Sequence, residues 1–418
     1  MEAEPEIIEL YDLHFSDLLL LSSSDALSSP TPVDQSRLEC ISASVMEALG
    51  PSGPGLLSIS GVPLASSLRR SLLPLALHLS LLNPKDRAPL LKRHGLGSDV
   101  PLKKPDRKVS SFASLLKYQG ESVLDQVQEI DFTSSSEDIE HNFGLHELDE
   151  GEFDHLGDTF EKLGRCMMEL GVRLARICDN AMQSIELEKS IIQSGSAKGR
   201  LIHYHSELDG FILKEATKNV RHVNRSKKSP AFKEICKEKS TVADLWQQWH
   251  YDYGIFTVLT SPLFLSSTVE GEHLVSKESL PPMGHSCLQL FDNRKKRIVS
   301  VKCQAESFII QVGEAADVLS GGKLRSTLHS VSKPTGLAGD VSRETFVLFL
   351  QPSWDKVLHY DGFSMDPDEE VRSGDELAEI RSKIPPLSAR LRNGMTFAEF
   401  SRETTKQYYG GSGIQSKS

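Results

Sequence analysis

The spacing of apolar residues changes from helix-like to strand-like near Gly199. Upstream, apolar side chains recur at three- and four-residue steps, and the clearest stretch, from about Asp154 to Leu187, predicts a long amphipathic helix. Downstream, short apolar runs are separated by Gly, Pro, Asn or charged residues, which is typical of a β-sandwich or barrel. These runs are Leu201–Tyr204, Ile255–Leu259, Ser286–Phe291, Ile298–Val301, Phe308–Val312 and Phe346–Leu350.

The same pattern predicts further elements on either side of the β-rich region. A helix begins near Asp34, a short buried strand covers Leu56–Val62, and one long apolar helix runs from about Leu64 to Leu82. Residues 97–145 are expected to be irregular. A last helix is expected at Thr396–Tyr408.

The elements divide the chain into four regions and indicate an α+β protein. Residues 1–35 are expected to be a flexible N-terminal segment, and 36–198 a mainly helical region. Residues 199–355 form the predicted β-rich core, and 356–418 an acidic loop, a helix and a tail.

Composition narrows the possible functions. The net charge of −11 argues against a general nucleic-acid binder, because no basic excess is available to neutralise phosphates. No apolar stretch near the start is long enough for a membrane span, and the acidic start is unlike a signal peptide. Six cysteines without a CxxC pair indicate reduced thiols inside a cell. A cytoplasmic location is the default expectation, with nuclear or plastid locations as alternatives.

One basic insert, residues 214–240, departs from this acidic balance. Its segment from Lys214 to Lys239 holds nine Lys or Arg residues against three Glu. It could dock an anionic partner. A solvated excursion between two strands is the favoured interpretation, because charge runs are usually solvated.

Candidate metal chemistry begins at His250 and Asp252. In an extended chain, residues i and i+2 point to the same side, so this pair can present an imidazole nitrogen and a carboxylate oxygen to one point. A third donor, His329, ends a predicted turn and strand further along. Two His and one carboxylate leave three positions of an octahedron open, which suits Fe(II) binding a co-substrate and O₂ together.

Arg343, at the start of a predicted strand, is a candidate for binding an anion. Strand alternation places Arg343 and Thr345 on one face of an otherwise apolar run. The planar guanidinium matches a carboxylate and the threonine adds a hydroxyl donor. An arginine reaching solvent at a strand end is the alternative.

A second histidine pair competes for the metal. His203 and His205 share a face of a strand, and Glu207 and Asp209 follow closely. A cupin-like metal site could be built there, although the first triad is favoured.

Taken in order, these motifs resemble the plant-type 2-oxoglutarate/Fe(II)-dependent dioxygenases, the group that includes isopenicillin N synthase-like enzymes. That family shows His-x-Asp, Gly-Asp, a Ser-Asn-Gly turn, His-Arg-Val and Arg-x-Ser. The counterparts here are His250-Tyr251-Asp252, Gly313-Glu314, Ser320-Gly321-Gly322, His329-Ser330-Val331 and Arg343-Glu344-Thr345. Tyr204 resembles a tyrosine that helps hold the co-substrate in relatives. The likeness covers about residues 36–409.

The resemblance implies a double-stranded β-helix (jelly-roll) core with flanking helices. It implies Fe(II) held by His250, Asp252 and His329, with no catalytic residue beyond these ligands. Arg343, Thr345 and Tyr204 would hold 2-oxoglutarate, and ascorbate is a further candidate cofactor. The chain departs from the family where Gly-Asp is Gly-Glu, where His-Arg-Val lacks its arginine and where Arg-x-Ser is Arg-x-Thr. The spacing between the first and last ligands is longer than usual, which is attributed to a loop around Val269–Pro282.

The expected function is oxidation of a small organic substrate with O₂, by hydroxylation, desaturation or demethylation. The alternative is a catalytically inactive, oxygenase-like scaffold, because a fold alone does not establish chemistry. The sequence does not identify the substrate, the reaction outcome or the oligomeric state.

Overall fold

A computed structural model describes residues 6–23, 32–104, 106–118, 140–144, 151–221, 245–271, 273–292, 294–302, 304–334, 340–360, 380 and 384–409. The helices in this part of the chain are α1 (Phe15–Ser22), α2 (Pro32–Leu49), α3 (Ala65–Leu72), α4 (Pro74–Leu81), α5 (Pro84–Arg93), α6 (Leu156–Met182), α7 (Glu186–Ser194), α8 (Glu207–Arg221), α9 (Glu314–Leu319), α10 (Leu387–Arg390) and α11 (Phe397–Tyr409).

The strands begin near the N-terminus and become dense after α7. They are β1 (Glu6–Ile8), β2 (Asp12–His14), β3 (Leu56–Ser60), β4 (Val109–Lys117), β5 (Glu140–Gly144), β6 (Ser196–Tyr204), β7 (Leu245–His250), β8 (Phe256–Thr260), β9 (Leu263–Glu270), β10 (His273–Ser279), β11 (Leu288–Asp292), β12 (Arg297–Val301), β13 (Phe308–Val312), β14 (His329–Ser332), β15 (Val341–Leu350), β16 (Val357–Leu358) and β17 (Met395–Thr396).

Two sheets form the core, as expected for a double-stranded β-helix. The smaller sheet has the order β1-β12-β11-β14-β7. The larger has the order β2-β3-β13-β8-β15-β9-β10-β5, and β6 joins β15 to β4 at its side. Pairing is antiparallel except for β1 with β12 and β2 with β3. The predicted α+β class with a jelly-roll core and flanking helices is confirmed.

Strand β15 shows how the core is layered. Phe346, Leu348 and Leu350 belong to the apolar cluster that the large sheet shares with the helices. Val347 and Phe349 belong to a second cluster, on the other face of the strand. This alternation is the period-two pattern of a strand that is covered on both faces.

Helix α6 supplies much of the outer layer because its apolar stripe is nearly continuous. Its buried face includes Phe160, Leu163, Met167 and Leu174. The helix ends at Met182, and the next residue, Gln183, adopts a left-handed conformation. The predicted helix is therefore present, but it stops before Leu187. The chain turns after α6, and Leu187 belongs to the separate helix α7.

The long apolar helix predicted over Leu64–Leu82 is two helices. Pro74 is the first residue of α4 and has no backbone N–H to donate to the preceding turn, so it starts a new helix.

Several segments assigned to loops are strands. Residues 97–145 include β4 and β5, and the N-terminal segment expected to be flexible contains β1, β2 and α1. The longer spacing was attributed to a loop around Val269–Pro282, but much of this segment is a hairpin of β9 and β10. Its register runs from the pair Glu270–His273 near the turn to the pair Phe264–Ser279 at the open end. The burial of these two strands is mixed, so apolar content alone did not reveal them.

The basic insert is described only at its start. Lys214 lies exposed in α8, and residues 222–244 lie outside the described part of the chain. Among the described helices, none combines the length and hydropathy of a membrane span.

Candidate active site

Strand pairing brings the two predicted metal-binding histidines together. His250 is the last residue of β7 and His329 the first of β14, and the antiparallel register places them opposite each other. Their ring centroids lie 4.2 Å apart. The site thus lies at one end of the smaller sheet.

Asp252 completes the cluster from the turn that follows β7. Its Oδ1 lies 3.7 Å from His250 Nε2, and its Oδ2 lies 3.8 Å from His329 Nε2. The three residues each offer a ligand atom, and these atoms all lie within 4.8 Å of one another. The backbone of the turn is fixed because Glu314 N donates to Asp252 O over 2.8 Å.

Hydrogen bonds orient both imidazoles for metal binding. His250 Nδ1 donates to Gln248 O over 2.8 Å, and His329 Nδ1 to Thr327 O over 3.0 Å. Each Nε2 then keeps its lone pair for a metal, as is usual when the other ring nitrogen is hydrogen-bonded. Burial, and then the neighbouring His329, lower the pKa of His250 to about 4, so this ring is neutral at pH 7.

The donor set fits Fe(II). Two imidazoles and one carboxylate are the facial ligand set of non-haem iron enzymes, which leaves open positions for other ligands. The site is also partly accessible, since the side chains of His250 and Asp252 are 18% and 12% exposed.

Two further residues support the triad and were not identified from the sequence. Thr257 Oγ1 donates to Asp252 Oδ2 over 2.7 Å. The Gln311 amide nitrogen lies 3.4 Å from Asp252 Oδ2, to which it donates. It also lies against the His329 ring, 2.8 Å from Nδ1 and 3.2 Å from Nε2, although Nδ1 cannot accept from it while donating to Thr327 O. Thr257 and Gln311 are register partners on β8 and β13, so only the pairing of these strands reveals them.

Arg343 is buried, which excludes the alternative of an arginine reaching solvent. Its side chain faces Tyr204 across the β15–β6 pair, with the guanidinium carbon 5.1 Å from the ring centroid. Arg343 Nε donates to Ser286 O over 3.0 Å. Among the described residues, no carboxylate forms an ion pair with Arg343.

Thr345 and Tyr204 lie beside this guanidinium. Thr345 is buried, and within the described residues its hydroxyl makes only long contacts, 3.4 and 3.5 Å, with Thr260. Burial raises the pKa of Tyr204, although Arg343 partly opposes this. The sequence prediction of a cation and a hydroxyl on one strand face therefore agrees with their placement.

The competing histidine pair also meets a carboxylate. His203, His205 and Asp209 form a second cluster with ligand atoms within 4.8 Å of one another, and all three are buried. Glu207, the other acid noted in the sequence, is exposed and does not join this cluster.

Comparison with known proteins agrees with this architecture. Residues 234–352 match the family model described as the 2OG-Fe(II) oxygenase superfamily. This segment contains all three members of the first triad as well as Arg343 and Thr345. No curated protein matches the chain in sequence.

Solved structures resemble the chain over most of its length at low identity. A full-length Neurospora crassa protein, solved in complex with alpha-KG and 5-formyluracil, is 13% identical with a TM-score of 0.50, covering 95% of this chain and 94% of that one. The dioxygenase for auxin oxidation 1 of Arabidopsis thaliana, solved with 2-oxoglutarate, is 14% identical with a TM-score of 0.49, covering 86% and 98%. The rice dioxygenase for auxin oxidation is 15% identical with a TM-score of 0.48, covering 93% and 98%.

At such identity the likeness to the Neurospora crassa structure supports the fold, while the matched segment supports the chemistry. Together they show the oxygenase fold and, over residues 234–352, a segment that matches the 2OG-Fe(II) oxygenase superfamily, which supports a non-haem dioxygenase that uses Fe(II) and 2-oxoglutarate.

Proposed function

We propose that His250, Asp252 and His329 hold the iron of an oxygenase that oxidises a small organic substrate. The observation that carries the proposal is the convergence of two oriented Nε2 atoms and one carboxylate from separate elements. When bound, the iron supplies a redox-active centre with positions for 2-oxoglutarate and O₂.

Arg343 is proposed to bind the distal carboxylate of 2-oxoglutarate. A buried guanidinium without a carboxylate partner is costly, so an anionic ligand at this position would relieve that cost. Thr345 offers a hydroxyl to the same carboxylate, and Tyr204 packs its ring against the guanidinium. These contacts orient the co-substrate and leave its other end free to face the triad.

Within the superfamily, we propose a plant-type, isopenicillin N synthase-like oxygenase. The order of the five motifs from His250 to Thr345 supports this assignment. The reaction on the substrate is hydroxylation, desaturation or demethylation, and ascorbate remains a candidate cofactor. A cytoplasmic location with no nucleic-acid or membrane partner fits the acidic composition, and the insert 214–240 remains a candidate contact for an anionic partner.

The metal-binding proposal is tested by anaerobic titration of the full chain with Fe(II) and then 2-oxoglutarate. The expected result is one iron per chain and a weak visible charge-transfer band from the chelate. His329→Ala should lose both, because it removes one ligand, whereas His359→Ala, at an exposed histidine, should retain both. A scaffold protein would bind neither iron nor co-substrate, and that result would contradict the proposal.

The co-substrate proposal is tested separately with Arg343→Ala and Arg343→Lys. Removing one partner of a buried charge pair costs about 2–5 kcal/mol, so the Kd of 2-oxoglutarate should rise roughly 30-fold or more in the alanine variant. Lysine keeps the charge but lacks the planar fork, so its effect should be intermediate. Iron binding should be unchanged in both variants. Arg297→Ala, at an exposed ion pair, is the control, and an unchanged Kd in Arg343→Ala would remove this role.

A further inference from the structure

The second histidine cluster lies on the opposite face of the large sheet from Arg343. On β6, His203 follows Leu201 by two residues and shares its helix-facing side, whereas Tyr204 faces inward. Across the strand pair, His203 is the register partner of Glu344, and Tyr204 is the partner of Arg343. Neighbouring register pairs of β15 and β6 thus face opposite sides of the sheet. Arg343 and Tyr204 face inward, and Glu344 and His203 face the helices.

Each histidine of this cluster uses one ring nitrogen and leaves the other without a partner. His203 Nδ1 lies 2.9 Å from both carboxylate oxygens of Glu344, and His205 Nε2 lies 2.9 Å from Ser110 Oγ. Within the described part of the chain, His203 Nε2 and His205 Nδ1 are buried and have no hydrogen-bond partner. Buried polar atoms are rarely left in this state without a ligand, water or ion.

Asp209 repeats this pattern in the first turn of α8. Its Oδ2 accepts hydrogen bonds of 2.7 Å from both the backbone N and the hydroxyl of Ser206. Its Oδ1 is buried without a partner among the described residues. The side chains of His203 and Asp209 are fully buried, and His205 is only 3% exposed.

A proton on His203 would account for only part of this arrangement. Burial lowers the pKa of His203, but Glu344 and Asp209 outweigh it and raise that pKa to about 9. An imidazolium would then contact Asp209 Oδ2, which lies 3.3 Å from His203 Nε2. His205 Nδ1 and Asp209 Oδ1 would still lack partners, so the proton leaves two buried polar atoms unsatisfied.

We propose that His203, His205 and Asp209 bind a second divalent metal ion, of the Zn²⁺ type, which is structural and distinct from the iron. The donor set is that of the first site, but this cluster is almost fully buried and therefore closed to a co-substrate and O₂. Zn²⁺ accepts such nitrogen and oxygen ligands in a four-coordinate site, in which a buried water would be the fourth ligand. Glu344 accepts a hydrogen bond from the other nitrogen of His203, which is the usual outer support of a metal-bound histidine.

Charge balance favours an ion at this position. With neutral imidazoles, the cluster contains the carboxylates of Asp209 and Glu344, both fully buried. A divalent cation offsets both charges, whereas a proton on His203 would offset only one, and leaving a buried carboxylate uncompensated is costly. The ion would join the end of β6 to the start of α8 and would support the strand pair that presents Tyr204 and Arg343.

The proposal is tested in the full chain after the first site has been removed. Asp252→Ala with His329→Ala leaves the iron triad with one ligand, and the protein is then loaded with Co²⁺ as a spectroscopic substitute for Zn²⁺. We expect one Co²⁺ per chain, with the visible absorption of a low-coordinate site. Adding Asp209→Asn should abolish that ion and its absorption, whereas Glu207→Gln, in the same turn of α8 but exposed, should leave both unchanged.

Metal analysis of the single variants gives an independent result. Asp209→Asn alone should lose zinc while keeping iron and its 2-oxoglutarate band, and Asp252→Ala should lose iron while keeping zinc. If the first-site double variant binds no Co²⁺ or Zn²⁺, or if Asp209→Asn leaves its metal content unchanged, the second site does not exist. The iron assignment is unaffected by either outcome, because its test uses different residues.

Discussion

At the scale of single residues, the candidate site depends on groups that prepare the ligands as much as on the ligands themselves. The backbone carbonyls of Gln248 and Thr327 fix the tautomers of the two histidines. Gln311 contacts both His329 and Asp252 and is fully buried. The three proposed ligands could be named from the sequence because His-x-Asp has a recognisable spacing and His329 follows in the order that the family resemblance expects. Gln311 could not, because its role arises only when β13 pairs with β8.

Replacing Gln311 by Leu should weaken iron binding while leaving the fold intact. Leucine has a similar size but cannot hydrogen-bond, so Asp252 loses the hydrogen bond from the Gln311 amide, and the polar contact beside the His329 ring is lost as well. Loss of such outer support typically costs about 10–100-fold in metal affinity. Fe(II) competition titrations would measure the change.

The matched control for this prediction is Gln407→Leu, at a glutamine on α11 whose amide contacts Ala389 O and Glu403. Iron affinity should stay unchanged in the control. An unaltered iron affinity in Gln311→Leu, with normal thermal stability, would show that the amide does not position the ligands.

At the scale of elements, the turn after β7 and the start of α9 hold each other in place. Gly313 N donates to Ile255 O, and Ala315 N to Gly254 O. A Cβ built on Gly313 would lie 2.3 Å from Gly254 O and 3.1 Å from Asp252 O. The Gly-Glu step noted in the sequence therefore has a physical reason, because only glycine permits this approach to the backbone of the ligand-bearing turn.

Gly313→Ala should lower the free energy of unfolding by about 1–3 kcal/mol, the usual cost of forcing an extra methyl into a packed site. It should also weaken iron binding, because the added Cβ pushes on the carbonyl of Asp252. Urea denaturation and iron titration would measure the two effects.

Gly210→Ala in α8 serves as the control, since a Cβ there would have no atom within 4 Å. It should be neutral or slightly stabilising, as expected for alanine in a helix. Equal stability of the Gly313 and Gly210 variants would mean that the turn moves aside without cost.

At the scale of the whole molecule, the large sheet has a different group of buried polar side chains on each of its faces. Its inner face carries Arg343 and Tyr204, and its outer face carries Glu344 and His203 against the helices. The protein also buries ionisable side chains, and these link its stability to pH. One of them is Asp317 of α9. Its Oδ2 accepts a 2.8 Å hydrogen bond from the backbone N of Ser326, a residue that lies three positions before His329.

Asp317 should make the protein less stable as the pH rises from about 4 to 7. Burial raises its pKa from 3.8 to about 7, against the hydrogen bonds from Ser326 that lower it. In that window the folded protein binds more protons than the unfolded chain, so stability falls with pH by up to about 1.4 kcal/mol per pH unit. Asp317→Asn should remove this part of the slope, as measured by urea denaturation at several pH values.

Asp355→Asn, at an exposed aspartate, should leave the slope as it is in the wild-type protein. If the stability difference between the wild type and Asp317→Asn does not vary with pH, the Asp317 carboxyl group does not titrate in this window.

The sequence by itself determined the change from helix to strand near Gly199, a β-sandwich or barrel class and the candidate residues of the first metal triad, while the jelly-roll form was implied by the family resemblance. These features are local or depend on order along the chain, since periodicity and motif spacing are carried by neighbouring residues. The tertiary structure alone decided that β9 and β10 form a hairpin and that Arg343 is buried. It also decided that Gln311 reaches the triad, and that Asp209 rather than Glu207 joins the second histidine pair. These outcomes depend on strand register and helix packing, which bring together residues that are distant along the chain.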